Sequence, residues 1–308
     1  MQRSFKTGVF MKSKQLINAL MRSFLAALLS TSFASQAGVL PEAQQALRVP
    51  LAVKPTSRPM TVAYVPDYKR YVVADGGFTA MPDEFGVVAS KSQVHVYDEK
   101  GQYIHSAKPG LSNRSVYFNP NKHRLESVTY NASSDLGFQP NTGVFALEMD
   151  KEGRLTNNTE TVSQPHKAFG KANTFASYDA ANDQYYCKQD RSNQVLVVKL
   201  DKDEPVGVVT LDLAAAGAKE DDISDFWVAY TGIAGEELAV LDVDHKAVLV
   251  FDLKGKFVGK SALPASMRLR ANNHYNGHGY ANGMFFVYHE NEGEFGTYYG
   301  FRISDQIQ

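Results

Sequence analysis

From about residue 60 onward the apolar positions fall in short runs, rich in Val, Ile, Tyr and Phe and separated by clusters of Gly, Asn, Asp and Pro. Such runs are the mark of many short strands, not of helices, whose apolar positions recur every three to four residues over longer stretches. One run repeats. Val94-His-Val-Tyr-Asp98-Glu-Lys-Gly101 returns as Val144-Phe-Ala-Leu-Glu-Met-Asp150-Lys-Glu-Gly153, as Val195-Leu-Val-Val-Lys-Leu-Asp201 and as Val248-Leu-Val-Phe-Asp252-Leu-Lys-Gly255. Each copy reads as a strand, a tight turn built on Asp and usually Gly, and a returning strand.

The turn aspartates are spaced 52, 51 and 51 residues apart, and the next step lands at Ser304-Asp305 after the strand-like Tyr298-Tyr-Gly-Phe-Arg-Ile303. A second column lies upstream. Strands ending at Asp75, Asn131, Asp190, Asp244 and Asn291 carry an apolar residue three positions earlier, at Val72, Val128, Cys187, Leu241 and Tyr288. A further strand precedes each of these, at 61–65, 115–118, 174–178, 226–230 and 273–275. Four strands per unit at this period predict an all-β chain folded as a single β-propeller of five four-stranded blades, with six blades as the alternative. The fifth unit stops at its hairpin turn, so its outermost strand has to come from the N-terminus, and the segment 47–53 is expected to fill it and remove an open edge. Short helical turns are expected outside the blades, at 41–47 and 212–218.

Glu237-Leu-Ala-Val-Leu-Asp-Val-Asp-His-Lys-Ala-Val-Leu-Val-Phe-Asp-Leu-Lys-Gly-Lys-Phe-Val258 resembles an NHL-type propeller repeat, as does Gln189-Asp-Arg-Ser-Asn-Gln-Val-Leu-Val198. The resemblance implies architecture only. NHL repeats usually close six-bladed rings, and they serve as protein-binding, RNA-binding and occasionally enzymatic scaffolds.

Residues 1–37 read differently. They carry Arg3, Lys6, Lys12, Lys14 and Arg22, no acidic residue, the apolar Phe24-Leu-Ala-Ala-Leu-Leu29, and small residues at Ser35 and Ala37. That is the layout of an export leader cleaved after Ala37, with an apolar stretch too short to span a bilayer. The expected organisation is a leader over 1–37, a closing strand and Pro-rich linker over 38–59, and the propeller over 60–308. Without the leader, 27 basic residues face 33 acidic ones, a net charge near -6 that disfavours a nucleic-acid partner. Cys187 is the sole cysteine of the chain. Its place in an apolar column makes it a core residue, and the scarcity of thiols in an exported chain points to a bacterial periplasmic or secreted protein. No membrane span is expected, and the chain is expected to be a monomer.

Candidate chemistry concentrates in the loops that join second to third strands and one blade to the next, which share a face. Asp75, Phe78, Asp83, Glu84 and Phe138 come from the former set; His166 and Asp225 come from the segments between blades, with Trp227 beside them; His274, in an Asn- and Gly-rich cluster of the fifth unit, joins Asp244, His245 and Glu290 to complete an acidic, aromatic surface. Such a surface is expected to bind a protein, peptide or saccharide partner without catalysis and without a cofactor. The alternative is a hydrolase or lyase using a divalent metal held by some of His166, His274, His278, Glu290, Asp75 and Asp244. Against it, no Gly-x-Ser-x-Gly, His-Glu-x-x-His, phosphate-binding Gly loop or paired-cysteine pattern is present. Asp242, Asp244 and His245 are expected to belong to an Asx turn ending a strand, and His274 and His278, flanked by Gly277 and Gly279, to be structural or hydrogen-bonding instead of ligating metal.

Overall fold

A computed structural model describes residues 38–53, 60–75, 92–129, 142–273, 276–291 and 295–306. The first blade is β2 (Val62–Val65), β3 (Arg70–Ala74), β4 (Val94–Tyr97) and β5 (Tyr103–Ala107). The second is β6 (Asn113–Asn119), β7 (Arg124–Thr129), β8 (Gly143–Met149) and β9 (Leu155–Ser163). In the third, β10 (Ser177–Asp179), β11 (Gln184–Lys188), β12 (Gln194–Val198) and β13 (Gly207–Thr210) follow in the same order. The fourth is β14 (Ala229–Tyr230), β15 (Leu238–Asp242), β16 (Ala247–Phe251) and β17 (Phe257–Ala262). The fifth has β18 (His278–Ala281), β19 (Met284–His289) and β20 (Thr297–Ser304), and takes β1 (Val39–Pro50) as its outermost strand. The innermost strands β2, β6, β10, β14 and β18 neighbour one another in turn, and β18 returns to β2. The ring is a five-bladed propeller.

The apolar runs are continuous because each strand is buried on both faces, and alternate residues serve different neighbours. In β15, Leu238 and Val240 pack between blades three and four, whereas Ala239 and Leu241 pack between four and five. In β3, Val72 and Ala74 join the core between blades one and two, while Tyr71 and Val73 join the core between five and one. Cys187 is fully buried between blades two and three, and burial pushes its thiol far above the ordinary range. Five apolar cores thus fill the five gaps.

The Asp turns have one geometry in blades one, two and four. Asp98 N–H donates to Gln102 O at 2.9 Å, and Asp98 Oδ1 accepts from the backbone N–H groups of Lys100 and Gln102 at 2.9 and 2.8 Å. Asp150 and Asp252 repeat all three bonds. Each turn needs a glycine for two reasons. At Gly101 φ is +77°, and a Cβ would lie 2.0 Å from the carbonyl oxygen of Arg48 in β1; at Gly255 φ is +80°, and a Cβ would lie 2.0 Å from that of Thr210 in β13.

Closure differs from expectation in extent. The closing strand begins eight residues earlier than 47–53 and takes in 41–47, where a helical turn was expected. The Glu, Ala and Gln of that segment favour a helix locally, but the open edge of β20 offers ladder hydrogen bonds from Val39↔Ser304 to Pro50↔Thr297 and prevails. β1 also touches β17 in parallel at Glu42↔Ala262, fusing blades four and five into one eight-stranded sheet. The helical turn expected at 212–218 is present as Leu213–Ala216, with Asp212 as N-cap and Gly217 left-handed after it. The first strand of blade five is described at His278–Ala281; of the expected 273–275, residues 274 and 275 lie outside the described residues. Just ahead of the strand, the Asn276 side chain accepts from Arg270 N at 2.9 Å and donates to the carbonyls of Arg270 and Asn272.

Candidate ligand-binding site

At one end of the channel, where first strands turn into second strands, lies a cavity of about 440 Å³ lined by all five innermost strands. Each strand contributes one tyrosine: Tyr64, Tyr117, Tyr178, Tyr230 and Tyr280. The strands are short, so these residues sit at or near the last rung before the turn, as Tyr64↔Tyr71, Tyr178↔Tyr185 and Tyr280↔Phe285 pairings show. Tyr117 and Tyr178 approach ring to ring at 4.6 Å. The floor is aromatic too. Phe175, also in the lining, meets the edge of Trp227 at 4.5 Å and stacks on Phe226 at 5.0 Å.

Three of the five phenols are tethered. Tyr117 Oη donates to Glu126 Oε2 at 2.7 Å and shares a hydrogen bond with Tyr185 Oη, also at 2.7 Å; Glu126 in turn accepts from Arg124 Nε at 2.7 Å and from Asn119 at 3.1 Å. Tyr178 Oη donates to Asp183 at 2.8 Å, and Tyr230 reaches Asp179. Burial, reinforced by these carboxyl groups, raises Tyr117, Tyr178 and Tyr230 well above the ordinary phenol range. Tyr280 is pushed up to about 12 by burial and then by Glu236. The rings are neutral hydroxyl-bearing surfaces at physiological pH. Among the described residues no Lys, Arg or Glu lines the cavity. Asp179 does line it, but its oxygens are occupied by the backbone N–H groups of Ala181 and Asn182 and by the side chains of Asn182 and Gln184. His278, at the wall, is held neutral, with burial lowering it to about 3. Trp227 is 1% exposed, and its Nε1 has no acceptor among the described residues.

Two basic side chains are buried near these rings. Arg114 lies 5.5 Å from the Phe175 ring centroid, and the buried Lys188 Nζ donates to the carbonyl of Asp225 at 2.7 Å. Burial lowers the Lys188 amine to about 8 against the opposing pull of Asp225, Asp190 and Glu220.

The residues singled out from sequence are dispersed. Trp227 belongs to the cavity floor. Asp75 is buried against His95 at 3.3 Å and accepts from Gln93 N at 2.9 Å. His166 is buried against Leu200 O and the Phe169 ring, ahead of a short helix at Lys167–Lys171, and burial lowers its basicity. Asp225 meets Lys188 through its backbone. The turn after β15 is held by Asp242, which accepts from His245 N and faces its ring at 3.0 Å, and not by Asp244. Asp244 and Glu290 do come together, in an open groove of about 640 Å³ with Lys246, Arg268 and Arg270 on the face opposite the tyrosines. Phe78, Asp83, Glu84, Phe138 and His274 lie outside the described residues. Among the described residues no group of three or more His, Cys, Asp and Glu could hold a metal ion, and no helix is long and apolar enough to cross a membrane.

Strand order and cavity together define a five-bladed β-propeller with an aromatic pocket at one channel mouth. No protein-family profile and no curated protein sequence matches the chain. Among solved structures, a glutaminyl cyclase from Myxococcus xanthus is similar at 13% identity and a TM-score of 0.49, over 88% of this chain and 100% of that one. A glucose dehydrogenase aligns at 9% identity and a TM-score of 0.46, over 84% and 99%. The periplasmic gluconolactonase PpgL of Pseudomonas aeruginosa aligns at 11% identity and a TM-score of 0.36, over 76% and 69%.

Proposed function

We propose that this chain is an exported propeller that binds a small neutral saccharide in the tyrosine-lined mouth, without transforming it. The observation that carries the reading is the set of five tyrosines, one per blade, around a cavity that Phe175 and Trp227 also line. Ring faces suit the apolar C–H faces of a sugar, and fixed phenol hydroxyls suit its hydroxyl groups. The charge pattern argues against other small ligands. An anion finds no cation in the lining, and an ammonium group finds an Asp179 whose oxygens are already occupied. A cavity of about 440 Å³ accommodates one or two sugar rings.

Trp227 is the sole tryptophan of the chain, so its fluorescence reports the floor directly. Titration with neutral mono- and disaccharides should shift that emission with saturation, and Tyr178→Ala should weaken binding by about tenfold, the scale of one aromatic contact. Saturable binding of organic anions or cationic peptides with no response to any neutral sugar would defeat the proposal. The metal-dependent alternative is tested on the same sample: stoichiometric zinc or calcium by elemental analysis, with turnover of a glycoside, ester or lactone, would favour it.

A further inference from the structure

The two ends of the propeller meet in a way that repeats the Asp turns. In blade one Asp98 N donates to Gln102 O and Gln102 N donates to Asp98 Oδ1; Asp150 with Arg154 and Asp252 with Lys256 do the same. At the closure Asp305 N donates to Gly38 O at 3.2 Å, and Gly38 N donates to Asp305 Oδ1. Gly38 therefore stands where the fifth residue of each covalent turn stands, with no chain joining it to Asp305. Ser304 Oγ also donates to Gly38 O, at 3.4 Å.

We infer that the peptide bond between Ala37 and Gly38 is hydrolysed in the mature protein and that the freed α-ammonium of Gly38 pairs with the Asp305 carboxylate, replacing the missing turn with an ionic latch. The step balances as an ordinary amide hydrolysis by a leader peptidase. The C–N bond breaks, the oxygen of water joins the Ala37 carbonyl carbon, and the Gly38 nitrogen leaves as an amine that is protonated at neutral pH. In a covalent turn a neutral N–H donates to the Asp; here a full positive charge does, and charge-assisted bonds of this kind are about twice as strong. The inference rests on the export reading above but not on the saccharide.

A latch of this kind is pH-dependent. A free α-amine has a pKa near 8, and the Asp305 partner raises it in the folded state. Its contribution is complete below about pH 8 and is lost as pH rises through the raised value. The other charged groups on the elements packed against Gly38 are Arg302 of β20, Lys260 of β17, and Glu42 and Arg48 of β1 itself.

The full chain should be expressed with its leader in a bacterial host and recovered from the periplasm, as wild type and as Asp305→Asn. Intact mass should place the N-terminus at Gly38. Labelling of the α-amine by an amine-reactive ester across pH 6–10, read on the N-terminal peptide, should give an amine pKa at least half a unit higher in wild type than in Asp305→Asn. Between pH 7 and pH 10 the wild-type Tm should fall by about 2 °C more than that of the variant. Lys188 titrates in the same window but is common to both proteins and cancels in the difference. An N-terminus elsewhere than Gly38, or equal amine pKa values and parallel Tm profiles in the two proteins, overturns the latch. Absence of the protein from the periplasm overturns the export reading instead and the latch with it.

Discussion

Substituting Gly101 by Ala tests how tightly the turns of one blade fit against the blade before. Two costs add at this position. Its φ of +77° is disfavoured for a residue with a Cβ by roughly 1 kcal/mol. The Cβ would also sit 2.0 Å from the Arg48 carbonyl oxygen, so β1 or the turn must retreat by more than an ångström. That retreat pulls on the stretch of β1 around Arg48↔Tyr299 and Val49↔Tyr298, and a further cost of about 2 kcal/mol is the ordinary scale for forced overpacking. Gly110 supplies the control, because its φ is +80° but nothing lies within 4 Å of its Cβ position. Gly110→Ala should lower Tm by about 3 °C and Gly101→Ala by about 9 °C, at roughly 3 °C per kcal/mol for a chain of this size. Scanning calorimetry on the two variants and the wild type checks the difference. Equal losses would mean that only backbone strain matters and that the contact with β1 is slack.

Other consequences follow from groups already described. Glu126→Ala removes the acceptor shared by Arg124, Tyr117 and Asn119, and should cost about 3 kcal/mol in urea unfolding; Tyr117→Phe, which leaves Glu126 paired with Arg124, should cost about 1 kcal/mol. Cys187 should be inert to thiol reagents in the folded protein and react fully only in denaturant, so labelling under native conditions at the rate of a free thiol would contradict its place between blades two and three. His278, held near 3, should show no ring titration by NMR between pH 5 and 9. Below about pH 6.5 the unfolded chain binds a proton that folded His278 refuses, so stability should decline toward pH 3, and His278→Leu should flatten that decline.

The propeller is legible in sequence because its strongest signal is local. Asp98, Asp150 and Asp252 each organise a turn from bonds within five residues, so the same letters recur wherever the turn does. The closing strand is less legible, since the reason that 41–47 is extended lies in β20, about 250 residues away. The first strand of blade five, His278–Ala281, follows Asn276, whose side-chain bonds to the backbone of Arg270 and Asn272 no periodic pattern announces. The tyrosine ring was within reach of the sequence, one tyrosine on each first strand at 64, 117, 178, 230 and 280, but its spacings of 53, 61, 52 and 50 are uneven. The longest spacing contains the nine-residue strand β9 and the helix at Lys167–Lys171, insertions that no local pattern announces. Charged loop residues such as Asp75 and His166 drew notice by type alone, whereas in the fold their neighbours make them buried structural partners.

The seam at β1 also sets an order of events. Gly38 is among the earliest residues of the fold to be synthesised, and it bonds to Asp305, 267 residues later. Until that last strand exists β1 lacks the antiparallel ladder from Val39 to Pro50 and has only its parallel contact at Glu42↔Ala262, and the fifth blade stays incomplete. Loop closure over such a span makes completion slow compared with the local hairpins. A ring fastened in this way cannot be finished while it is still being made: its seam forms only after the last strand has left the ribosome.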